Sequence, residues 1–259
     1  MAIRAARAGG RVLRRKFGRI DRVWSKGGRD LVTEADREAE RAILAVLQRA
    51  FPTHCFRAEE SGLVGAPTSA EYQWLIDPLD GTTNYHHGYP AFAVSLACAR
   101  KGQLFLGVVY DPIAGELFCA EKGRGAYLNG RSIHTSGVLD LGQALLATGF
   151  PYDIKSDNRY NFDHFLNFEC RVQAIRRIGP AALNLAYVAC GRFDGYWESK
   201  LYPWDMAGGA VLVAEAGGLV SDFRGRPFDP DGGRIVAGNP AIHAQVLSVL
   251  ALGQSGLGD

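Results

Sequence analysis

The segment Trp74-Leu75-Ile76-Asp77-Pro78-Leu79-Asp80-Gly81-Thr82-Thr83-Asn84 gathers the groups best suited to chemistry: an apolar run ending in two carboxylates and a Gly-Thr-Thr turn. Asp77 and Asp80 lie three apart across Pro78, whose ring fixes φ and removes a competing donor, so both carboxylates can converge on one point. Two unit charges roughly 4 Å apart repel by about 4 kcal/mol at an effective dielectric of about 20, which asks for a cation between them. Hard oxygen ligands of this kind suit Mg²⁺, which takes a few carboxylates, keeps several waters and bridges to substrate phosphate. Glycine lets the backbone approach an anion, successive N–H groups can form an anion-binding concavity, and a threonine hydroxyl can hold an oxygen or a water. The same Asp-Pro-Leu-Asp-Gly string also reads as a plain surface turn.

Three other places carry acids in suggestive positions. Glu59-Glu60-Ser61 follows a strand-like run, and adjacent side chains of an extended chain point to opposite faces, so one of the two glutamates can join a site. Trp204-Asp205-Met206-Ala207-Gly208-Gly209 places Asp205 at the start of a helix rich in small residues, where it reads equally as a first-turn acid. Asp36 follows Thr33 at the spacing of a capping pair, and capping alone would account for it.

These residues need elements to hold them. Residues 33–51 read as a helix, with Ala39, Ala42, Ile43, Val46, Leu47 and Ala50 at helical spacing and Pro52 ending it. Short apolar runs at 72–76, 92–99, 104–110 and 116–120 read as strands, and Gly102 with Asp111-Pro112 and Gly115 mark hairpin turns, so an antiparallel meander is expected. Downstream, 158–169, 180–190, 205–216 and 241–252 read as helices and 193–197, 219–222 and 234–237 as strands. This mixed order favours layered α and β over a regular βαβ repeat. The polar, turn-like stretch at 130–142 suggests a division into 1–140, with the main carboxylates, and 141–259, with Asp205, in one compact unit.

Composition bounds the rest. The 259 residues are 47% hydrophobic and 22% charged with a formal net charge of +2, an ordinary globular composition that speaks against disorder and against a global polyanion-binding surface. Cys55, Cys98, Cys119, Cys170 and Cys190 are odd in number and widely spaced with no CxxC, which argues against a disulfide framework or a zinc site. With no apolar run of membrane-spanning length and no secretory signal, a cytoplasmic protein is expected. Residues 1–30 hold ten Lys and Arg against Asp21 and Asp30. There Ile3, Ala6, Gly10, Leu13 and Phe17 recur at helical spacing beside a stripe of Arg4, Arg7, Arg11, Arg14 and Arg15. The stripe reads first as a solvated helix face and second as a basic arm for an acidic partner.

From Asp30 to Phe223 the chain resembles the inositol monophosphatase family of Mg²⁺-dependent, lithium-sensitive phosphatases, above all in DPLDGTTN and PWDMAGG, widely separated and in this order. The resemblance implies a layered αβαβα sandwich, a homodimer and two to three Mg²⁺ ions. Carried over by position, it makes Glu59, Asp77 and the Leu79 carbonyl ligands of one ion and Asp77, Asp80 and Asp205 ligands of a second, with Glu59 also serving a weaker third. It assigns phosphate contacts to Gly81 and Thr82, polarisation of the attacking water to Thr82 with Asp36 and nearby Glu59, and contacts to the alcohol part to Asp80, Ala181 and Glu198. Pro180 and Ser199-Lys200 depart from the usual pattern on that alcohol side, while His86 and His87 read as structural or rim groups.

The implied activity is hydrolysis of a small phosphate ester, foremost inositol 1-phosphate. Histidinol phosphate, fructose 1,6-bisphosphate and 3′-phosphoadenosine 5′-phosphate are rivals on the same site. An Asp-nucleophile mechanism would need D-x-D-x-T, whereas the two acids here are three apart. A different class of function, association with RNA or the transcription machinery through the basic first thirty residues, stands as the non-enzymatic alternative.

Overall fold

A computed structural model describes residues 1–19, 22–27, 30–151 and 161–253. The chain folds into five layers. The outermost holds helices α1 (Ala2–Lys16) and α2 (Glu34–Ala50), joined through a two-stranded ribbon of β1 (Val23–Gly27) and β2 (Asp30–Thr33). Beneath lies an eight-stranded sheet made of β3 (Cys55–Ala58), β4 (Gly62–Gly65), β5 (Tyr72–Asp80), β6 (Ala93–Arg100), β7 (Gln103–Asp111), β8 (Glu116–Glu121), β9 (Ala126–Leu128) and β10 (Arg131–Ile133). Its order is β10-β9-β8-β7-β6-β5-β3-β4, antiparallel throughout except where β3 runs parallel to β5.

The middle layer is α5 (Ala181–Ala189) and α6 (Pro203–Glu215), which pack on β5 to β8 from one side and on the second sheet from the other. That sheet takes β11 (Leu145–Thr148), β12 (Ala174–Arg176), β13 (Gly195–Ser199), β14 (Leu219–Ser221) and β15 (Arg234–Gly238) in the order β12-β11-β13-β15-β14. Helices α4 (Phe162–Glu169) and α7 (Pro240–Leu250) cover its far face. The layered αβαβα sandwich is therefore present. One further helix, α3 (Thr82–His86), is a single short turn after β5.

Residue type explains the close approaches on which the site depends. A Cβ on Gly107 of β7 would collide with the Gly208 carbonyl, and one on Gly208 would stand 3.0 Å from both the Leu96 carbonyl and Ser95 Oγ. The small-residue run of α6 thus lets the helix lie directly on the first sheet.

Helix α1 also sits close, on the expected face at Ala6, Gly10 and Leu13 but not at Ile3. Ala2, Ala5, Ala6, Gly9, Gly10 and Leu13 are buried whereas Ile3 is 37% exposed, because a Cβ on Gly9 or Gly10 would strike Ile43 or Tyr110 and only small residues fit there. The arginines at 4, 7, 11, 14 and 15 all face outward as expected. The short strands β9, β10, β11 and β12 were not anticipated, and of the helix expected at 158–169, residues 158–160 lie outside the described ones. Among the described residues no helix is long and apolar enough to cross a membrane, and all five cysteines are unpaired thiols.

Candidate active site

Strand pairing brings the first carboxylates together. β3 and β5 run parallel in register Ala58↔Ile76, and the Glu59 N–H extends the ladder by donating to the Ile76 carbonyl at 3.1 Å. Glu59 and Asp77 are therefore neighbours at the carboxyl ends of two parallel strands, the end of an open sheet at which ligands collect. Glu59 itself lies in a turn, not an extended strand, and it alone of the Glu59-Glu60 pair lines the cleft. The Glu60 N–H and the Ser61 hydroxyl instead satisfy the buried carboxylate of Glu40.

A bulge re-aims the next two acids. Asp77 stands opposite Ser95 and Asp80 opposite Ala93, so β5 spends an extra residue at Pro78-Leu79, where proline has no N–H to lose. The Asp77 Oδ1 accepts the Leu79 N–H at 2.9 Å, and Asp80 Oδ2 accepts the Ala182 N–H at 2.6 Å, fixing the first turn of α5 beside it. Ser95 donates to the Trp204 carbonyl at 3.0 Å and so docks the start of α6 next to Asp77. Asp205 follows, with one carboxylate oxygen accepting the Tyr202 N–H at 2.8 Å. The first-turn role and the site position thus coexist on one side chain.

Thr82 opens α3 after Gly81, whose φ of 97° is available to glycine and whose hydrogen faces Pro180 and the Ala91 carbonyl too closely for a Cβ. Its hydroxyl lies 2.9 Å from Asp36 Oδ1 and 3.1 Å from the Leu79 carbonyl. Asp36 does both jobs considered for it: Oδ2 accepts from the Thr33 N–H (2.8 Å) and hydroxyl (2.6 Å), closing the cap of α2, while Oδ1 faces Thr82.

All of these except Asp36 line one cleft of about 330 Å³, together with Ala181, Glu198 and Asp205. Asp36 stands behind Thr82. His86 and His87 are exposed, edge to face with one another, and do not line the cleft. Glu198 is 6% exposed on β13, and its Oε2 accepts the Tyr196 hydroxyl at 2.6 Å.

Burial and mutual repulsion raise the carboxyls of the cleft. Burial, then repulsion from Glu59, Asp80 and Asp205, pushes the Asp77 carboxyl well up, and Asp205 is raised by burial and by Asp80 and Glu59. Burial moves Asp36 and Asp80 to about 7 and Glu198 to about 8. Among the described residues no three His, Cys, Asp or Glu side chains already close as a cage about one point. The donor set is a basin of hard oxygens whose mutual repulsion a divalent cation would relieve, and its chemistry fits Mg²⁺.

Several lining residues carried no local signal in the sequence. Gly149 leaves the space that the Glu198 carboxylate occupies, since a Cβ there would overlap it. Arg177, stacked over the Phe150 ring at 4.6 Å, and Lys200 add the positive charge opposite the acids. Asn84 ties two segments by donating to the carbonyls of Ala91 and Ile178, both at 2.8 Å. Asn84 was within reach as the last residue of DPLDGTTN, and the pointer to Lys200 was the departure at Ser199-Lys200: Lys200 adopts φ 61°, a conformation that favours glycine.

A five-layer sandwich with a buried acidic basin at its strand ends, beside a threonine–aspartate pair, defines the class of cation-assisted phosphoric ester hydrolases. The chain belongs to the inositol monophosphatase family, whose sequence profile matches residues 1–253. It is 49% identical over 255 residues to the Nus factor SuhB of Pseudomonas aeruginosa, covering 96% of this chain and 94% of that one. It is 42% identical over 250 residues to an inositol-1-monophosphatase of Mesorhizobium japonicum, with 96% and 94% covered. The solved inositol monophosphatase of Anabaena superposes with a TM-score of 0.90 at 42% identity, over 97% of this chain and 94% of the other. Family membership makes the chain a phosphatase, and the profile extends through α1, beyond the 30–223 stretch that carries the motifs.

Proposed function

We propose that the chain hydrolyses a small phosphate monoester, foremost inositol 1-phosphate, with Mg²⁺ held by the acidic basin. The observation that supports this most is the gathering of Glu59, Asp77, Asp80, Asp205 and Thr82 in one cleft, with Asp36 behind Thr82 as its partner. In this reading Glu59, Asp77 and the Leu79 carbonyl hold one ion, Asp77, Asp80 and Asp205 a second, and Glu59 contributes to a third. Bound there, Mg²⁺ supplies charge neutralisation and Lewis-acid polarisation of the phosphoryl oxygens.

The chain's own groups do the rest. Gly81 and Thr82 present backbone N–H groups to the phosphate, with glycine allowing the approach. The Thr82 hydroxyl, with its proton directed to Asp36, and nearby Glu59 orient the attacking water and accept its proton. Glu198, Asp80 and the start of α5 at Ala181 receive the hydroxyls of the alcohol. No covalent phosphoenzyme is required.

The test is phosphate release, with and without Mg²⁺, from inositol 1-phosphate, histidinol phosphate, fructose 1,6-bisphosphate and 3′-phosphoadenosine 5′-phosphate. Mg²⁺-dependent, lithium-inhibited turnover strongest on inositol 1-phosphate is expected. Preference for another ester reassigns the alcohol pocket around Glu198 and Lys200; no turnover on any of the four contradicts the reading.

A second reading, association with RNA or transcription machinery, is supported by the relative named Nus factor SuhB and by the outward arginines of α1. Because the opposite face of α1 is core, truncating residues 1–19 would unfold the protein. Exchanging Arg4, Arg7 and Arg11 for Gln is the cleaner test: salt-sensitive RNA binding lost in that variant supports this role, and no binding by the wild type at low salt removes it. We further read the protein as cytoplasmic and as a homodimer; light scattering of the purified chain tests the dimer.

A further inference from the structure

Helix α1 is tied to both elements that carry the Asp36–Thr82 pair without entering the cleft. The Leu13 carbonyl, on the buried face of α1, accepts the Tyr85 hydroxyl at 2.7 Å. Tyr85 is fully buried on α3, three residues after Thr82, with its ring 4.7 Å from Phe92 and 5.5 Å from Phe17. At the end of α1, Lys16 bridges Glu34 at 3.1 Å and Glu38 at 2.7 Å, the acids that flank Asp36 on α2. Neither Tyr85 nor Lys16 lines the cleft.

A helix as short as α3 has no stability of its own, so its orientation is set by whatever holds it. Thr82 and Tyr85 are its two buried side chains. One meets Asp36 and the other meets α1. The start of α2, in turn, carries Glu34, Asp36 and Glu38, and the ammonium of Lys16 draws the two outer acids to α1, with Arg15 reaching Glu38 as well at 3.6 Å. The distance between Thr82 and Asp36 is therefore fixed from a third element that binds α3 through Tyr85 and α2 through Lys16.

We propose that α1 is a clamp, with Tyr85 and Lys16 as positioning residues that set turnover by fixing the Asp36–Thr82 geometry and leave substrate affinity alone. The inference rests on the reading of that pair as the groups that orient the attacking water.

The test measures kcat and KM for inositol 1-phosphate with Mg²⁺, and Tm, for Tyr85→Phe, Lys16→Met, Lys16→Arg, Thr82→Ala and the double variant of Tyr85→Phe with Thr82→Ala. Misplacing a catalytic group by a fraction of an ångström is expected to lower kcat about tenfold in Tyr85→Phe with KM within about twofold, and less in Lys16→Met. Lys16→Arg, which keeps the double bridge, restores turnover. With Thr82 already removed, Tyr85→Phe has no further effect on kcat, although it still lowers Tm. Effects on kcat that multiply as for independent sites, or a loss of Tm with kcat unchanged, overturn the clamp. Thr82→Ala at full turnover sinks the catalytic reading of the pair and the clamp with it, whereas reduced turnover in Thr82→Ala alone sinks only the clamp. Should Tyr85→Phe fail to fold, Lys16→Met against Lys16→Arg carries the same decision.

Discussion

The molecule contains the same local motif twice. Asp77-Pro78-Leu79-Asp80-Gly81 ends β5 and Asp111-Pro112-Ile113-Ala114-Gly115 ends β7. In both, the first aspartate is buried and its Oδ1 accepts the N–H two residues on, at 2.9 Å from Leu79 and 2.8 Å from Ile113, and in both the glycine has positive φ. What differs is the company. Asp111 takes a second N–H, from Ala114 at 2.9 Å; burial raises its carboxyl, and its charged neighbours are one acid, Glu116, and one base, Arg192. Asp77 faces Glu59, Asp80 and Asp205. A Cβ on Gly115 would meet nothing, whereas one on Gly81 would lie 2.8 Å from Pro180 Cγ. The turn chemistry of the motif is generic; the parallel strand β3 and the close-packed helix α6 convert one copy into a site.

The contrast is sharpest in activity. Asp77→Asn removes a ligand shared by both proposed ions and is expected to lower turnover by about three orders of magnitude, while relief of repulsion raises the Tm of the magnesium-free protein. Phosphate-release kinetics and a thermal melt in chelator check both halves, and a folded Asp77→Asn protein with near-normal turnover would break the comparison.

The glycines separate the copies next. Left-handed backbone costs a residue with a side chain about 1 to 2 kcal/mol, so Gly115→Ala should lose about that much stability in urea unfolding and keep its activity. Gly81→Ala adds an overlap with Pro180 and should lose more than about 2 kcal/mol together with most turnover. Equal losses would mean that the surroundings of Gly81 are slack.

The pH dependence of stability follows from the raised carboxyls. A group whose folded pKa lies above its unfolded value of about 4 favours the folded state while protonated. Asp36 and Asp80 at about 7 and Glu198 at about 8 therefore contribute stability that is complete in acid and is lost as pH rises through 7 to 8. Melts in chelator should fall from about pH 5 to about pH 8.5, and added Mg²⁺ should raise Tm most at the upper end. A flat profile would contradict the frustrated basin. The smallest effect is expected from Asp111→Asn, since asparagine makes the same turn: turnover within about twofold and Tm nearly unchanged.

The acids of the site were legible because each sits in a local pattern, DPLDGTT, EES, PWDMAGG or the Thr33–Asp36 cap, and their family order ties them together. The meander and the helices at 34–50, 181–189 and 203–215 were legible for a similar reason, since apolar period and turn residues lie within one window. Gly149, Phe150 and Arg177 were not. They reach the cleft only because β11 pairs in parallel with both β12 and β13, and such pairing leaves no mark within the few residues of each strand. On α1 periodicity places Ala6, Gly10 and Leu13 on the buried face but also rewards the large apolar Ile3, which lies outside it, whereas the contacts with Ile43 and Tyr110 fall to Gly9 and Gly10, where no Cβ fits.

The most direct measurement is a calorimetric titration of Mg²⁺ into the wild type, Asp77→Asn and Asp111→Asn at neutral pH. Binding is expected in the wild type and undiminished in Asp111→Asn, and abolished or greatly weakened in Asp77→Asn. Equal binding by Asp77→Asn and the wild type would contradict the claim that the acidic basin at the end of β5 is the cation site.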